Sequence, residues 1–138
     1  MTRLLSLFAA LSILGLLAGC ATNACPAGEE CECDVAGTCT YDCAGADCSF
    51  LATGEGTADF TCDGGGCEGD FSANGDVTMT CEGGGCSVNS DGNGTVELSC
   101  AGNDCDMTCS GTGTCELQDC ESGCSIECTS ITATCSEE

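Results

Sequence analysis

The chain has 138 residues, among them 19 cysteines, 21 glycines and 23 acidic side chains against one basic side chain and no histidine, for a formal net charge of −22. With Arg3 as its only cation, it is excluded from nucleic-acid binding, which needs cationic contacts to phosphate, and from electrostatic docking on anionic lipid headgroups. Catalysis lacks its usual His or Lys, so no enzyme activity is expected.

Met1-Thr2-Arg3 is followed by an apolar run from Leu4 to Leu17, broken only by Ser6, Ser12 and Gly15. That run is too short and wrongly flanked for a membrane span. It reads as the helical h-region of a signal peptide that is removed on maturation. The run closes in Leu17-Ala18-Gly19-Cys20, which resembles the lipobox of bacterial lipoproteins. The resemblance implies a signal peptide over residues 1–19, with Cys20 diacylated on sulfur as the mature N-terminus. Residues 20–28 then form the lipidated N-terminus and a short tether. Ala21, where Asp is absent, points by the sorting habit of that family to the outer membrane. Membrane attachment is expected through the acyl chains alone, two or more of which make a stable anchor. The other reading is an ordinary secretory signal cut among the small residues Ala18-Gly19-Cys20-Ala21.

Setting Cys20 aside turns the odd cysteine count into an even one, as a set of disulfides in an oxidising compartment requires. The remaining stretch, 29–138, reads as a cysteine-rich repeat domain. Its C-x4-C pairs Cys43/Cys48, Cys62/Cys67, Cys81/Cys86 and Cys100/Cys105 recur every nineteen residues. A fixed period of this length marks units that cannot bury a core singly. With the second Cys of each pair numbered zero, position +2 holds Phe50, Gly69, Val88 and Met107, and +4 holds Ala52, Phe71, Ser90 and Cys109. Position +8 is always glycine (Gly56, Gly75, Gly94, Gly113), +10 is Ala58, Val77, Val96 and Cys115, and +12 is Phe60, Met79, Leu98 and Leu117. Backwards, the frame reaches a zero at Glu29 and places Cys31, Cys33, Gly37, Cys39 and Tyr41 in the same slots. Forwards, it reaches Cys124, Ile126 and Cys128 before Thr132 replaces the glycine and the frame slips.

Alternation at +2/+4 and at +10/+12/+14 is the period of half-buried strands. Each unit therefore reads as strand, glycine turn, strand, clipped turn, with the +8 glycine supplying a positive φ to a tight turn. The expected fold is all-β: a small disulfide-rich β-solenoid of about 19 residues per coil, with tandem β-hairpins as the alternative. The solenoid is preferred because stacking sets +8 on +8 and +12 on +12, where the copies resemble each other. Five to six coils would make a rod on the order of 25–30 Å long.

Closing each clipped turn on itself pairs Cys43–Cys48, Cys62–Cys67, Cys81–Cys86, Cys100–Cys105 and Cys120–Cys124. Cysteines at +4 and +10 face each other across a coil as Cys33–Cys39 and Cys109–Cys115, with Cys128–Cys135 as the slipped equivalent. Cys25–Cys31 then remains. Bonds between stacked coils would also serve the C-x4-C cysteines. In the chain-entropy model such short loops contribute roughly 2 kcal/mol each, and reduction is expected to unfold the domain.

The repeats are similar to those of uncharacterised cysteine- and glycine-rich bacterial lipoproteins built on C-x-V-x-C and G-x-G-T-V elements. The matching stretches are Gly92-Asn93-Gly94-Thr95-Val96-Glu97-Leu98-Ser99-Cys100 and Gly111-Thr112-Gly113-Thr114-Cys115. That resemblance supports the fold and implies no activity. Thiolate metal sites are disfavoured, since no C-x2-C pair occurs and Cys31-Glu32-Cys33 is the only C-x-C. The acidic turns suggest calcium as a cofactor, with Asp59, Glu97 and Glu116 as weak ligand candidates at +11. A flat ice-binding Thr array at +9 (Thr38, Thr57, Thr95, Thr114) is interrupted by Asp76. The expected function is a non-catalytic, lipid-anchored cell-envelope protein, a structural or interaction module whose protein partner the sequence does not name. The alternative is an acidic cation-binding module.

Overall fold

A computed structural model describes residues 22–137; the signal segment and Cys20 lie outside the described residues. One sheet carries, in spatial order, β1 (Thr22–Ala24), β3 (Thr38–Cys43), β5 (Thr57–Cys62), β7 (Val77–Cys81), β9 (Thr95–Cys100), β11 (Thr114–Gln118) and β13 (Thr134–Glu137). The other carries β2 (Glu30–Val35), β4 (Ser49–Gly54), β6 (Glu68–Ala73), β8 (Ser87–Ser90), β10 (Asp106–Cys109) and β12 (Ser125–Cys128). All the ladders are parallel, and they join like positions of successive repeats: Cys31↔Phe50, Tyr41↔Phe60, Met79↔Leu98. Strands adjacent in sequence lie in opposite sheets and never pair, which rules out tandem hairpins. The fold is a two-sheeted β-solenoid of about 6 turns of about 19 residues each.

The core is the space between the two sheets, filled from +2 and +4 on one side and from +10 and +12 on the other. Phe50, Phe60 and Phe71 stack there, with ring centroids 4.7 Å apart for Phe50–Phe60 and 5.4 Å for Phe60–Phe71. Gly69 interrupts its strand for a packing reason: a Cβ there would come within 2.5 Å of the Phe71 ring tip. Farther along the axis Met79, Val88, Val96, Leu98, Met107 and Leu117 continue the buried column.

Two columns of the repeat explain its glycines. The +8 glycines Gly37, Gly56, Gly75, Gly94 and Gly113 do not have positive φ, contrary to the reading of them as left-handed turn residues. They are glycines because the coils touch there backbone to backbone. A Cβ on Gly56 would overlap the Gly37 carbonyl oxygen, and Gly75, Gly94 and Gly113 stand in the same relation to the glycine one coil back. The left-handed position is instead the residue before each zero: Gly28, Asp47, Gly66, Gly85, Asp104 and Gly123 have φ between 56° and 75°. Glycine adopts that region freely, and Asp tolerates it through its short polar side chain.

The ends depart from the regular period. β13 pairs Cys115 with Cys135, so the last coil holds one extra residue. At the other end β1 pairs Thr22 with Thr40 and Ala24 with Asp42, and the Cys25 amide donates to the Asp42 carbonyl at 2.8 Å. The sheet therefore begins inside the stretch read as a tether before Glu29. Three residues are too few to display a period of two, which is why this strand is silent in the sequence.

Candidate functional site

Nine disulfides close within coils: Cys25–Cys31, Cys33–Cys39, Cys43–Cys48, Cys62–Cys67, Cys81–Cys86, Cys100–Cys105, Cys109–Cys115, Cys120–Cys124 and Cys128–Cys135. Their Cα–Cα distances run from 6.0 to 6.6 Å, within the reach of a disulfide. They fall into two groups. The clips at the C-x4-C turns lie along one edge of the solenoid, and Cys43, Cys48, Cys62, Cys67, Cys81, Cys86, Cys100 and Cys105 are all buried. Cys33–Cys39 and Cys109–Cys115 instead cross the core from +4 to +10. In inner coils those slots hold Ala52 and Ala58, or Phe71 and Val77.

The alternate residues of each strand point outward, as the pleat requires. On the β3–β13 face these are Thr38, Thr57, Asp76, Thr95 and Thr114, beside Thr40, Asp59, Thr78, Glu97 and Glu116. The opposite face is more acidic, carrying Glu30, Glu32, Asp34, Glu68, Asp70, Asp91, Asp106 and Glu127. Outward side chains bond along the axis to their counterparts one coil away. Asn89 Nδ2 donates to Asp70 Oδ1 at 3.3 Å, Ser125 Oγ to Asp106 Oδ1 at 2.6 Å, and Asn93 Nδ2 to Asn74 Oδ1 at 2.6 Å. Asp70 and Asp106 thus accept a neutral donor, as do Asp34 from Thr53 and Asp119 from Ser99. An open groove of about 200 Å³ lies where the +4 column drops in size from Phe71 to Ser90; Asp70, Asn89, Asp91 and Thr108 line it as well.

The calcium candidates do not converge. Glu97 and Glu116 are directly paired on β9 and β11, but Asp59 lies farther along the column, separated from Glu97 by Thr78. Glu116 Oε2 accepts from Gln118 Nε2 at 3.5 Å. Among the described residues, the groups of three metal-capable side chains are made of disulfide cysteines, not carboxylates. Those sulfur groups, Cys43/Cys48/Cys67, Cys81/Cys86/Cys105 and Cys100/Cys105/Cys124, join one clip to a sulfur of the next coil. The C-x4-C cysteines of stacked coils thus approach one another along the axis, as the exact nineteen-residue beat implies, while the bridges themselves close within coils. No family model matches the chain, and neither does any curated protein or solved structure.

Proposed function

We propose that the chain is a non-catalytic, lipid-anchored module of an extracytoplasmic envelope that presents an acidic, hydroxyl-rich surface on a short stiff rod. The observation that carries this reading is the continuous stack of coils, each closed by its own disulfide, following an apolar leader that ends at Cys20. So many bridges suit an oxidising compartment. Stacked at the usual strand separation, the coils make a rod on the order of 30 Å long. Each coil is clipped to itself and hydrogen-bonded to both neighbours, so the outward side chains are held at fixed spacing. Attachment at Cys20, just ahead of β1, would leave the C-terminal coil farthest from the membrane.

The test is the intact mass of the full chain expressed in a two-membrane bacterium, together with fractionation of a Cys20→Ser variant. The expected mass lacks residues 1–19, carries acyl chains and shows no free thiols, and the variant moves to the soluble fraction. An unacylated mature protein, or a variant still bound to membranes, refutes the anchor; abundant free thiols refute the compartment. A second reading, cation binding, rests on the Glu97–Glu116 pair, whose like charges a bound cation would relieve. Calcium-dependent melting separates the two readings, since the first expects no shift beyond that of an equal ionic strength of sodium chloride.

A further inference from the structure

Three of the four junctions between stacked clips bring three sulfurs together; among the described residues, the Cys62–Cys67 clip and Cys86 form no such group. Each of the three sulfur groups consists of one clip plus the second cysteine of the next clip, with the three Sγ atoms within 4.8 Å of one another. At the C-terminal end Cys124 Sγ lies 3.7 Å from Cys100 Sγ, and the Cys105 backbone N–H donates to Cys124 Sγ at 3.3 Å. A donor aimed at the sulfur favours its thiolate, the form that attacks a disulfide. Exposure adds a direction: the inner clips are buried, whereas Cys120 and Cys124 are each partly exposed.

The geometry points to Cys120–Cys124 as the site where an external dithiol exchanges with this protein, and to the stacked clips as a path that carries the exchange inward. One thiolate of the dithiol attacks Cys120 Sγ, the Cys120–Cys124 bond breaks, and Cys124 leaves as a thiolate. The second thiol of the reagent then closes on the first, so the dithiol is oxidised to its disulfide and Cys120 takes up a proton as a thiol. Freed from Cys120, Cys124 swings into line with the Cys100–Cys105 bond and attacks Cys100 Sγ: a Cys100–Cys124 bond forms, the Cys100–Cys105 bond breaks, and the electron pair leaves on Cys105. Cys105 in turn faces Cys81 and Cys86, where the same step places the thiolate on one of that pair. Each inward step breaks one disulfide and makes one, so the two electrons from the dithiol are conserved while the open thiol migrates. Cys128–Cys135 also lies at the exposed end, but neither of its sulfurs belongs to a three-sulfur group among the described residues. Reduction there stops where it starts.

The test treats the oxidised protein with one equivalent of dithiothreitol, blocks free thiols with N-ethylmaleimide, cleaves at Asp and Glu, and maps label and bridges by mass spectrometry. The expected result is label on Cys120 and Cys105, with inward spread to Cys81 or Cys86, loss of the Cys100–Cys105 peptide and appearance of a Cys100–Cys124 peptide. Label confined to Cys120 and Cys124 with Cys100–Cys105 intact overturns the proposal, as does first label on the buried inner clips. A Cys120→Ser variant gives a second reading without reductant. With Cys20 acylated, its one thiol is expected to divide among Cys124, Cys105 and the Cys81/Cys86 pair, and a thiol found wholly on Cys124 counts against the path. Should that variant fail to fold, the titration of the natural sequence decides alone.

Discussion

Replacing Gly75 by alanine separates two explanations of the +8 glycines by the sign of its effect. Gly75 does not have positive φ, so alanine fits its backbone. If space were available, the substitution would stabilise the fold by about 0.4–1 kcal/mol through the unfolded chain. Space is not available: the new Cβ would overlap the Gly56 carbonyl oxygen and come within 2.7 Å of the Glu55 oxygen. Relief to an ordinary C···O separation of roughly 3.3 Å requires the two turns to part. The turn is clamped on both sides, since Asn74 N donates to Gly54 O at 2.8 Å and Ala58 N donates to Asp76 O at 3.0 Å. Overpacking costs about 1–3 kcal/mol, and stretching those two bonds adds about 1 kcal/mol each at most. Less the unfolded-state gain, the net loss is centred on about 2 kcal/mol and at most about 4–5 kcal/mol, or a fall in Tm of roughly 10 °C at the centre for a domain of this size. Gly37 is the control in the same column, because it heads the stack and a Cβ there meets nothing within 4 Å. Thermal melts followed by circular dichroism with disulfides intact should show Gly75→Ala melting well below the parent and Gly37→Ala at or slightly above it. Equal behaviour of the two variants, or a stabilised Gly75→Ala, refutes the argument from close coil contact.

The centre of the aromatic stack is the costliest apolar position: Phe60→Ala should lose about 3–5 kcal/mol in a denaturant titration, because its ring packs against both Phe50 and Phe71. Gly85→Ala should lose about 1–2 kcal/mol from backbone conformation alone, since φ is 67° and a Cβ meets only the Gly66 amide nitrogen, at 4.0 Å; Gly85→Asn should lose less. Glu97→Gln should raise stability by up to about 1 kcal/mol at low salt by relieving Glu116, and the gain should vanish in melts at high sodium chloride. Full reduction should abolish the strand signal in circular dichroism, since nine short loops together account for on the order of 20 kcal/mol as an upper bound.

The columns of the solenoid were legible because each coil repeats its neighbour's environment: Phe60, Met79 and Leu98 share a slot nineteen residues apart and share a fate. Most of the pairs were legible for a related reason, since each spans a slot of its own coil, whereas Cys25–Cys31 came only as the remainder. What a column cannot reveal is how closely its members approach along the axis. Gly75 and Gly85 look alike as turn glycines, yet one is required by a neighbour's carbonyl and the other by its own φ. The beat put the clips of stacked coils near one another, but not which sulfurs meet: Cys124 approaches Cys100 although the two belong to different bridges. Of the candidate site residues, Glu97 and Glu116 do stack, as the common +11 slot implies, while the Thr78 side chain keeps Asp59 apart from them.

The placement of the core-crossing bridges follows from where a solenoid is weakest. An inner coil is hydrogen-bonded and packed on both sides, so Phe71 and Val77 suffice between the sheets. Among the described residues, the coils toward the ends pack against one regular neighbour only, and there the crossing slots are Cys33–Cys39, Cys109–Cys115 and Cys128–Cys135. Covalent closure replaces the burial that those coils cannot complete. Strands that end the sheets among the described residues raise the opposite problem, since an unpaired edge is a template for another chain. β2 presents Glu30, Glu32 and Asp34 at one end, while Glu127 on β12 and Glu137 on β13 stand at the other. Two rods meeting end to end would bring these acids together with no Lys, Arg or His in either repeat domain to offset them. Acids on these terminal strands therefore disfavour end-to-end pairing of two copies.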